Sequence, residues 1–162
     1  MSPGRRQGTW VIVVTFAIAL MLTAVPLPEV VRDWRPAWLA LVLVYWALAL
    51  PERVGVGVGW FAGLLHDAMV GTLLGQHALG LALVAFFTVK LHLRLRVIPL
   101  WQQGVSVLVL VLLERGLTLW IQGILGVPGE WHQTLWPALV SALLWPWVFV
   151  LLRDLRRRFR VV

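Results

Sequence analysis

The chain has 162 residues, of which 60% are hydrophobic and only 13% are charged. Ordinary globular domains are about 45–50% apolar and about 25% charged, so this composition indicates a membrane protein. The chain has no cysteine, which excludes disulfides, thiolate metal sites and a cysteine nucleophile, and its net charge of +7 would favour nucleic acid only in a soluble protein.

Apolar segments recur along the chain between short polar breaks, and a bilayer crossing needs about 20 apolar residues. They predict an all-α fold, one polytopic membrane domain over 1–162. The six predicted transmembrane helices lie at about 9–25, 36–50, 54–74, 78–91, 101–125 and 134–152. Six crossings in so short a chain leave no room for a separate catalytic module.

The first segment also resembles a secretory signal peptide, because Arg5 and Arg6 precede an apolar run that ends near a possible cleavage site at Ala24. We favour an uncleaved first span, since everything downstream is membranous too. The second segment ends at Pro51 and is short for a perpendicular crossing. It would have to borrow residues at its ends or lie where neighbours thin the bilayer.

The third segment carries a small or acidic residue at every fourth position, namely Gly55, Gly59, Gly63, Asp67, Gly71 and Gly75. On a helix this spacing forms one ridge, and a ridge without side chains lets a second helix approach closely. The ridge drifts by about 40° per step, so its two ends cannot face the same neighbour. We predict that the early glycines pack a helix and that function lies around Asp67. His77, in the turn that follows, is expected to be solvated.

The fourth segment ends in KLHLRLR, whose alternation is typical of a strand. A lone strand at a membrane surface has no hydrogen-bonding partner, so we predict a helix end with side chains that reach the interface. With six crossings, nearly all basic residues fall on one side of the membrane, together with both termini. The positive-inside rule predicts that this side is cytoplasmic. Contacts with anionic lipid or a cytoplasmic partner are expected at Lys90, Arg94, Arg96, Arg156, Arg157 and Arg158.

Three ionisable residues fall inside predicted spans, where each costs about 2.5–3.5 kcal/mol and therefore needs a reason. They are Asp67, Glu114 and Arg115. Asp67 and Glu114 both lie about 20 Å from the cytoplasmic ends of their spans, which predicts a contact between Asp67 and Arg115. The alternative is that each acid reaches a wet outer cavity separately. Arg35, on the side with few cations, would pair with Asp33, with Glu29 or with an acid of a partner.

No catalytic or cofactor motif stands out. Ser106 and Ser141 lack a GxSxG setting, and the four histidines do not have a metal-ligand spacing. The string GVGVG fails the dinucleotide pattern GxGxxG. An ion or proton relay would call for broken helices, and helix packing already explains the glycines. We therefore predict no enzyme activity, no metal, no cofactor and no nucleic-acid partner.

Three stretches match a known pattern: RPAWLALVLVYWALALPERVGVGVGWFAGLLHDAMVGTLLGQHAL, then LWQQ, then LLWPWVFVLLRDLRRRF. In them the chain resembles the rod shape-determining protein MreD family. The matching positions include Arg35, Pro36, Trp38, Tyr45, Trp46, Pro51, Arg53, Gly63, Asp67, Gly71, Leu74 and Gly75. Ala37 departs from the pattern, because family members commonly carry Asp or Asn there.

The resemblance implies a non-enzymatic, multi-pass subunit of the bacterial inner membrane that belongs to the cell-elongation machinery. It implies binding to MreC and work with MreB, RodA and a penicillin-binding transpeptidase in lateral peptidoglycan synthesis, and it leaves a homo-oligomer open. Candidate partner-binding or structural residues are Arg35, Trp38, Tyr45, Trp46, Arg53, Gly55, Gly59, Gly63, Asp67, Gly71, Gly75, Glu114 and Arg115. The family is also similar in fold to the substrate-binding subunits of energy-coupling-factor transporters, so the alternative is a subunit that binds a vitamin-type small molecule.

Overall fold

The computed structural model describes residues 8–162, and this part of the chain is helical without a strand. Arg5 and Arg6 lie outside the described residues. The helices are α1 Thr9–Ala24, α2 Glu29–Arg32, α3 Trp38–Ala49, α4 Val56–Val70, α5 Gln76–Val97, α6 Leu100–Ile124 and α7 His132–Arg158. By length and composition α5, α6 and α7 are able to cross a membrane, whereas α1, α3 and α4 are shorter apolar helices. The all-helical fold is confirmed, and the count of six crossings stays a prediction.

Helix α3 is the core of the bundle. Every residue from 39 to 48 is buried, as expected for a helix that is apolar on all its faces. Two buried hydrogen bonds fasten it to its neighbours: Trp46 Nε1 donates to Thr15 Oγ1 at 2.9 Å, and the Ala37 amide donates to Ser141 Oγ at 2.8 Å. With 12 residues it is about 18 Å long, which is shorter than the hydrocarbon core of a typical bilayer.

Two arginines cap the ends of helices. Arg35 donates to the carbonyl oxygens of Thr23 and Val25 at the end of α1. Arg96 donates to the Leu48 carbonyl from Nε at 2.8 Å and to the next carbonyl from Nη2 at 3.0 Å, at the end of α3. The last carbonyls of a helix have no intrahelical partner and attract cations. The predicted pairing of Arg35 with Asp33 or Glu29 is therefore wrong.

Helices α4 and α5 meet backbone to backbone at two glycines. A Cβ built on Gly63 would lie 2.3 Å from Ala78 Cα, and one built on Gly59 would lie 2.7 Å from the Leu81 carbonyl oxygen. No real side chain tolerates such distances, so only glycine permits this approach. The predicted close packing at the early glycines is confirmed.

The predicted continuous ridge is wrong at its ends. Gly55 precedes α4, and the helix stops at Val70 rather than near residue 74. Gly71 has a φ of +76° and Gly75 a φ of +102°, so these two glycines supply left-handed backbone instead of a helix surface. Glycine is favoured there because a Cβ would be strained, and such a residue is a common helix stop.

The two basic segments are helical. Helix α5 continues through KLHLRLR to Val97, which confirms the predicted helix end and extends it beyond residue 91. Helix α7 continues to Arg158, beyond the predicted end at residue 152, although Pro137 and Pro146 lie inside it. The cations of both segments are therefore carried on regular helices.

We expect Gly63→Ala to lower the free energy of unfolding by about 1–3 kcal/mol, because the added methyl group forces α4 and α5 apart. Gly57→Ala is the matched control, since its Cβ would have nothing within 4 Å. It should be neutral or stabilising by up to about 1 kcal/mol. Thermal unfolding of the purified protein in detergent measures both, and equal losses in the two variants would contradict the packing.

Candidate functional site

The Asp67 carboxylate is completely buried in the last turn of α4 and is saturated with donors. It accepts from the Thr72 hydroxyl at 2.8 Å and from the backbone amides of Gly75 at 2.9 Å, His77 at 3.1 Å and Ala78 at 3.4 Å. His77 Nδ1 lies 2.6 Å from the same carboxylate. The first amides of a helix lack intrahelical acceptors and favour negative charge. Asp67 of α4 therefore caps α5.

His77 contacts this carboxylate, and a second histidine packs against His77. His77 and His66 are both buried, and their ring centroids lie 4.2 Å apart. The contact with Asp67 fixes the orientation of the His77 ring. The expectation that His77 is a solvated turn residue is wrong, because the turn folds back over the end of α4.

The predicted pair between Asp67 and Arg115 is wrong. Both oxygens of the Asp67 carboxylate accept hydrogen bonds from the turn that joins α4 to α5. No ion pair in the described part of the chain joins this carboxylate to Arg115. Arg115 Nε instead lies 3.4 Å from the neighbouring Glu114 carboxylate, without the geometry of a hydrogen bond. Similar depth in two helices does not fix the direction in which each side chain points.

Glu114 is buried where α6 crosses α5. A Cβ built on Gly80 would lie 2.8 Å from Glu114 Cγ, so glycine makes room for the acid. Glu114, Arg115 and His66 also line a cavity of about 20 Å³ beside the start of α3. A space of this size suits one water molecule. Of the two acids, Glu114 therefore lines this cavity, whereas Asp67 is sealed.

The other candidate residues divide between the core and the surface. Tyr45 and Trp46 are buried in α3, and Trp38 at its start is half-buried. Arg53 lines a polar cavity of about 540 Å³ together with Arg96. Exposed basic side chains of α5 and α7 include Lys90, Arg94, Arg96, Arg153, Arg157 and Arg158, and Arg156 is half-buried. The structure does not bring these residues together with Asp67.

Sequence reasoning missed several buried polar contacts. Thr72 was not singled out, although it follows the helix-stopping glycine directly. Ser141, considered only as a nucleophile, donates to the Pro137 carbonyl at 2.6 Å and accepts from the start of α3. Gln103 accepts from Trp145 Nε1 at 3.2 Å and donates to the Leu95 carbonyl at 2.8 Å. The Ser141 bond to Ala37 and the Gln103 bond to Trp145 join positions far apart in sequence, which local spacing cannot predict.

The fold and the site define a helical membrane protein whose buried polar groups hold its own helices together. The family model described as rod shape-determining protein MreD matches residues 4–155. A curated rod shape-determining protein MreD of Haemophilus influenzae is 38% identical over 146 residues, which cover 90% of this chain and 90% of that relative. The chain belongs to the MreD family of rod shape-determining proteins. No solved structure matches, so the expected likeness to energy-coupling-factor subunits is not confirmed.

We expect Asp67→Ala to lower the free energy of unfolding by about 3 kcal/mol or more, because buried donors left without an acceptor cost about 1–3 kcal/mol each. Asp67→Asn keeps one acceptor oxygen and should lose less. Asp154→Asn is the control, since that carboxylate is exposed. Unfolding in detergent measures all three variants. Equal losses at Asp67 would mean that the negative charge itself is required, and no loss in either would contradict the capping role.

Proposed function

We propose that this protein is a non-enzymatic subunit of the cell-elongation complex in the bacterial inner membrane. In this proposal it binds MreC and, together with MreB, RodA and a penicillin-binding transpeptidase, supports lateral peptidoglycan synthesis and rod shape. The single observation that carries the proposal is the family match over residues 4–155.

The buried polar chemistry supports a role without catalysis. The Asp67 carboxylate, the Ser141 hydroxyl and the Gln103 amide are each engaged with other groups of the protein. Groups that are saturated by their own fold have little capacity left for a substrate. The protein would then act through the outer surfaces of its helices and through its short connections.

We propose six crossings of a single membrane domain, with both termini in the cytoplasm. The basic ends of α5 and α7 would then lie on the inner side, as the positive-inside rule asks. The short helices α1, α3 and α4 would cross by using the residues that flank them or by thinning the bilayer locally. Anionic lipids would be the natural neighbours of the basic ends.

The cleft between α1 and α4 is the surface that we propose for the single transmembrane helix of MreC. It has a volume of about 520 Å³ and a nearly entirely apolar lining, to which Phe16 and Leu20 contribute from α1 and Phe61 and Leu65 from α4. Helices associate in membranes through shape and van der Waals contact. A concave apolar surface between two helices offers more of such contact than a single convex helix does.

The structure offers less to the vitamin-binding alternative. The cavity beside Glu114 and His66, near the outer end in the proposed topology, has a volume of about 20 Å³. Pockets for small molecules commonly measure about 300–1,000 Å³. The cavities of about 360–540 Å³ lie at the other end of the bundle or between α1 and α4, away from the outer end. We therefore propose the role in cell shape and not a role in small-molecule uptake.

Replacement of the native protein by variants tests this function. Depletion should round rod-shaped cells, and the wild-type chain should restore the rod shape and co-purify with MreC. Ala17→Trp fills the cleft from an exposed position on α1, so we expect it to reduce MreC recovery by about tenfold, the effect of losing about 1.4 kcal/mol. Val109→Trp, on an exposed position of α6, is the control and should leave recovery unchanged.

The outcomes test the proposed role in cell shape separately from the assignment of the cleft between α1 and α4. Rod-shaped cells after depletion, with no MreC recovered by the wild-type chain, would contradict the proposed function. Normal recovery with Ala17→Trp would contradict only the assignment of the cleft.

A further inference from the structure

A further cavity opens at the end of the bundle opposite to Asp67. It measures about 360 Å³ and lies among the ends of α3, α5 and α7 and the start of α6. Three guanidinium groups line it: Arg96 from α5, and Arg153 and Arg156 from α7. The buried Tyr45 side chain and the Phe149 ring form part of its wall. Cationic and apolar surface therefore share one concave site.

The cations in this cavity exceed the acids that face it. Asp154 is the carboxylate nearest to Arg153, at 3.7 Å from its Nε, and it is 64% exposed. Such a solvent-exposed pair is weak and screened. Arg156 lines the cavity together with Tyr45 and donates its Nε to the Val161 carbonyl oxygen at 3.3 Å, which engages only part of the five N–H donors of a guanidinium. The site therefore has positive charge and hydrogen-bond donors available for an anion.

We propose that this cavity binds the phosphate headgroup of an anionic phospholipid. Guanidinium groups match phosphate oxygens in pairs of hydrogen bonds, and a phenol hydroxyl adds a further donor. Basic pockets between membrane helices are a known type of site for anionic headgroups.

The apolar part of the cavity favours a lipid over a free phosphate ion. Leu48, Ala49 and Phe149 line the same space as the arginines. A headgroup in the cavity would leave its glycerol and acyl chains beside such apolar surface, whereas inorganic phosphate would gain nothing from it. The proposal uses the proposed topology only to say which leaflet of the membrane supplies the lipid.

The test uses the full-length protein in neutral detergent and native mass spectrometry. Phosphatidylglycerol is the probe, phosphatidylcholine is the neutral lipid, and inorganic phosphate is the competitor. We expect the Arg153→Gln, Arg156→Gln double variant to bind phosphatidylglycerol about tenfold more weakly, because each charged hydrogen bond contributes more than a neutral one. The charge-matched comparison is Arg157→Gln, Arg158→Gln, which removes the same charge from positions of the same helix that do not line the cavity. It should lose only the diffuse attraction expected of the basic tail, about twofold, because that attraction is weak and screened.

A third variant, Tyr45→Phe, removes one hydroxyl and keeps the ring. It therefore tests phosphatidylglycerol binding at the cavity even where the double arginine variant fails to fold. We expect it to weaken binding by about threefold, the loss of a modest hydrogen bond. Equal weakening in both double variants would overturn the proposal in favour of diffuse attraction to the basic tail. Full displacement of the lipid by equimolar inorganic phosphate would also overturn the proposal. So would phosphatidylglycerol binding as tight as in the wild-type protein by both the Tyr45→Phe variant and the Arg153→Gln, Arg156→Gln variant. None of these results depends on MreC or on cell shape.

Discussion

The Asp67 carboxylate is the contact on which the arrangement of α4 and α5 depends. A charge removed from water is tolerated only when hydrogen bonds replace its hydration. Here the replacement comes from the turn and the first amides of α5, so the acid holds the start of the next helix. The Ala78 amide donates a hydrogen bond to Asp67, and the Ala78 backbone also packs against Gly63. The hydrogen bonds and the close packing therefore act on the same point.

This fixed pair of helices determines what the rest of the molecule can offer. Helix α5 packs against α3, and α3 is buried on all its faces, so the buried polar groups serve the fold. The surfaces that we propose for function lie outside this core: an apolar cleft between α1 and α4, and a cationic cavity at the opposite end from Asp67. A protein of the MreD family built in this way would work by presenting surfaces to lipid and to other membrane helices.

The sequence predicted the helices and the close packing at Gly59 and Gly63, because spacing reports directly on a regular helix. It did not distinguish these glycines from Gly71 and Gly75, since the same residue type serves both close approach and left-handed backbone. It predicted a similar depth for Asp67 and Glu114 but could not predict the direction in which side chains point around each helix axis. Charge counting assigned Arg96 to one end of the bundle and could not show that it caps α3. The family pattern alone pointed to Tyr45 and Trp46.

Hydrogen exchange in the membrane-embedded protein tests the central role of Asp67 most directly. The account predicts that the amides of Gly75, His77 and Ala78 exchange far more slowly than those of Gly129 and Glu130, which lie in an exposed connection. It also predicts that Asp67→Asn speeds exchange in that turn while α6 and α7 keep their protection. Exchange at Gly75 and His77 as fast as at Gly129 in the wild-type protein would contradict the account.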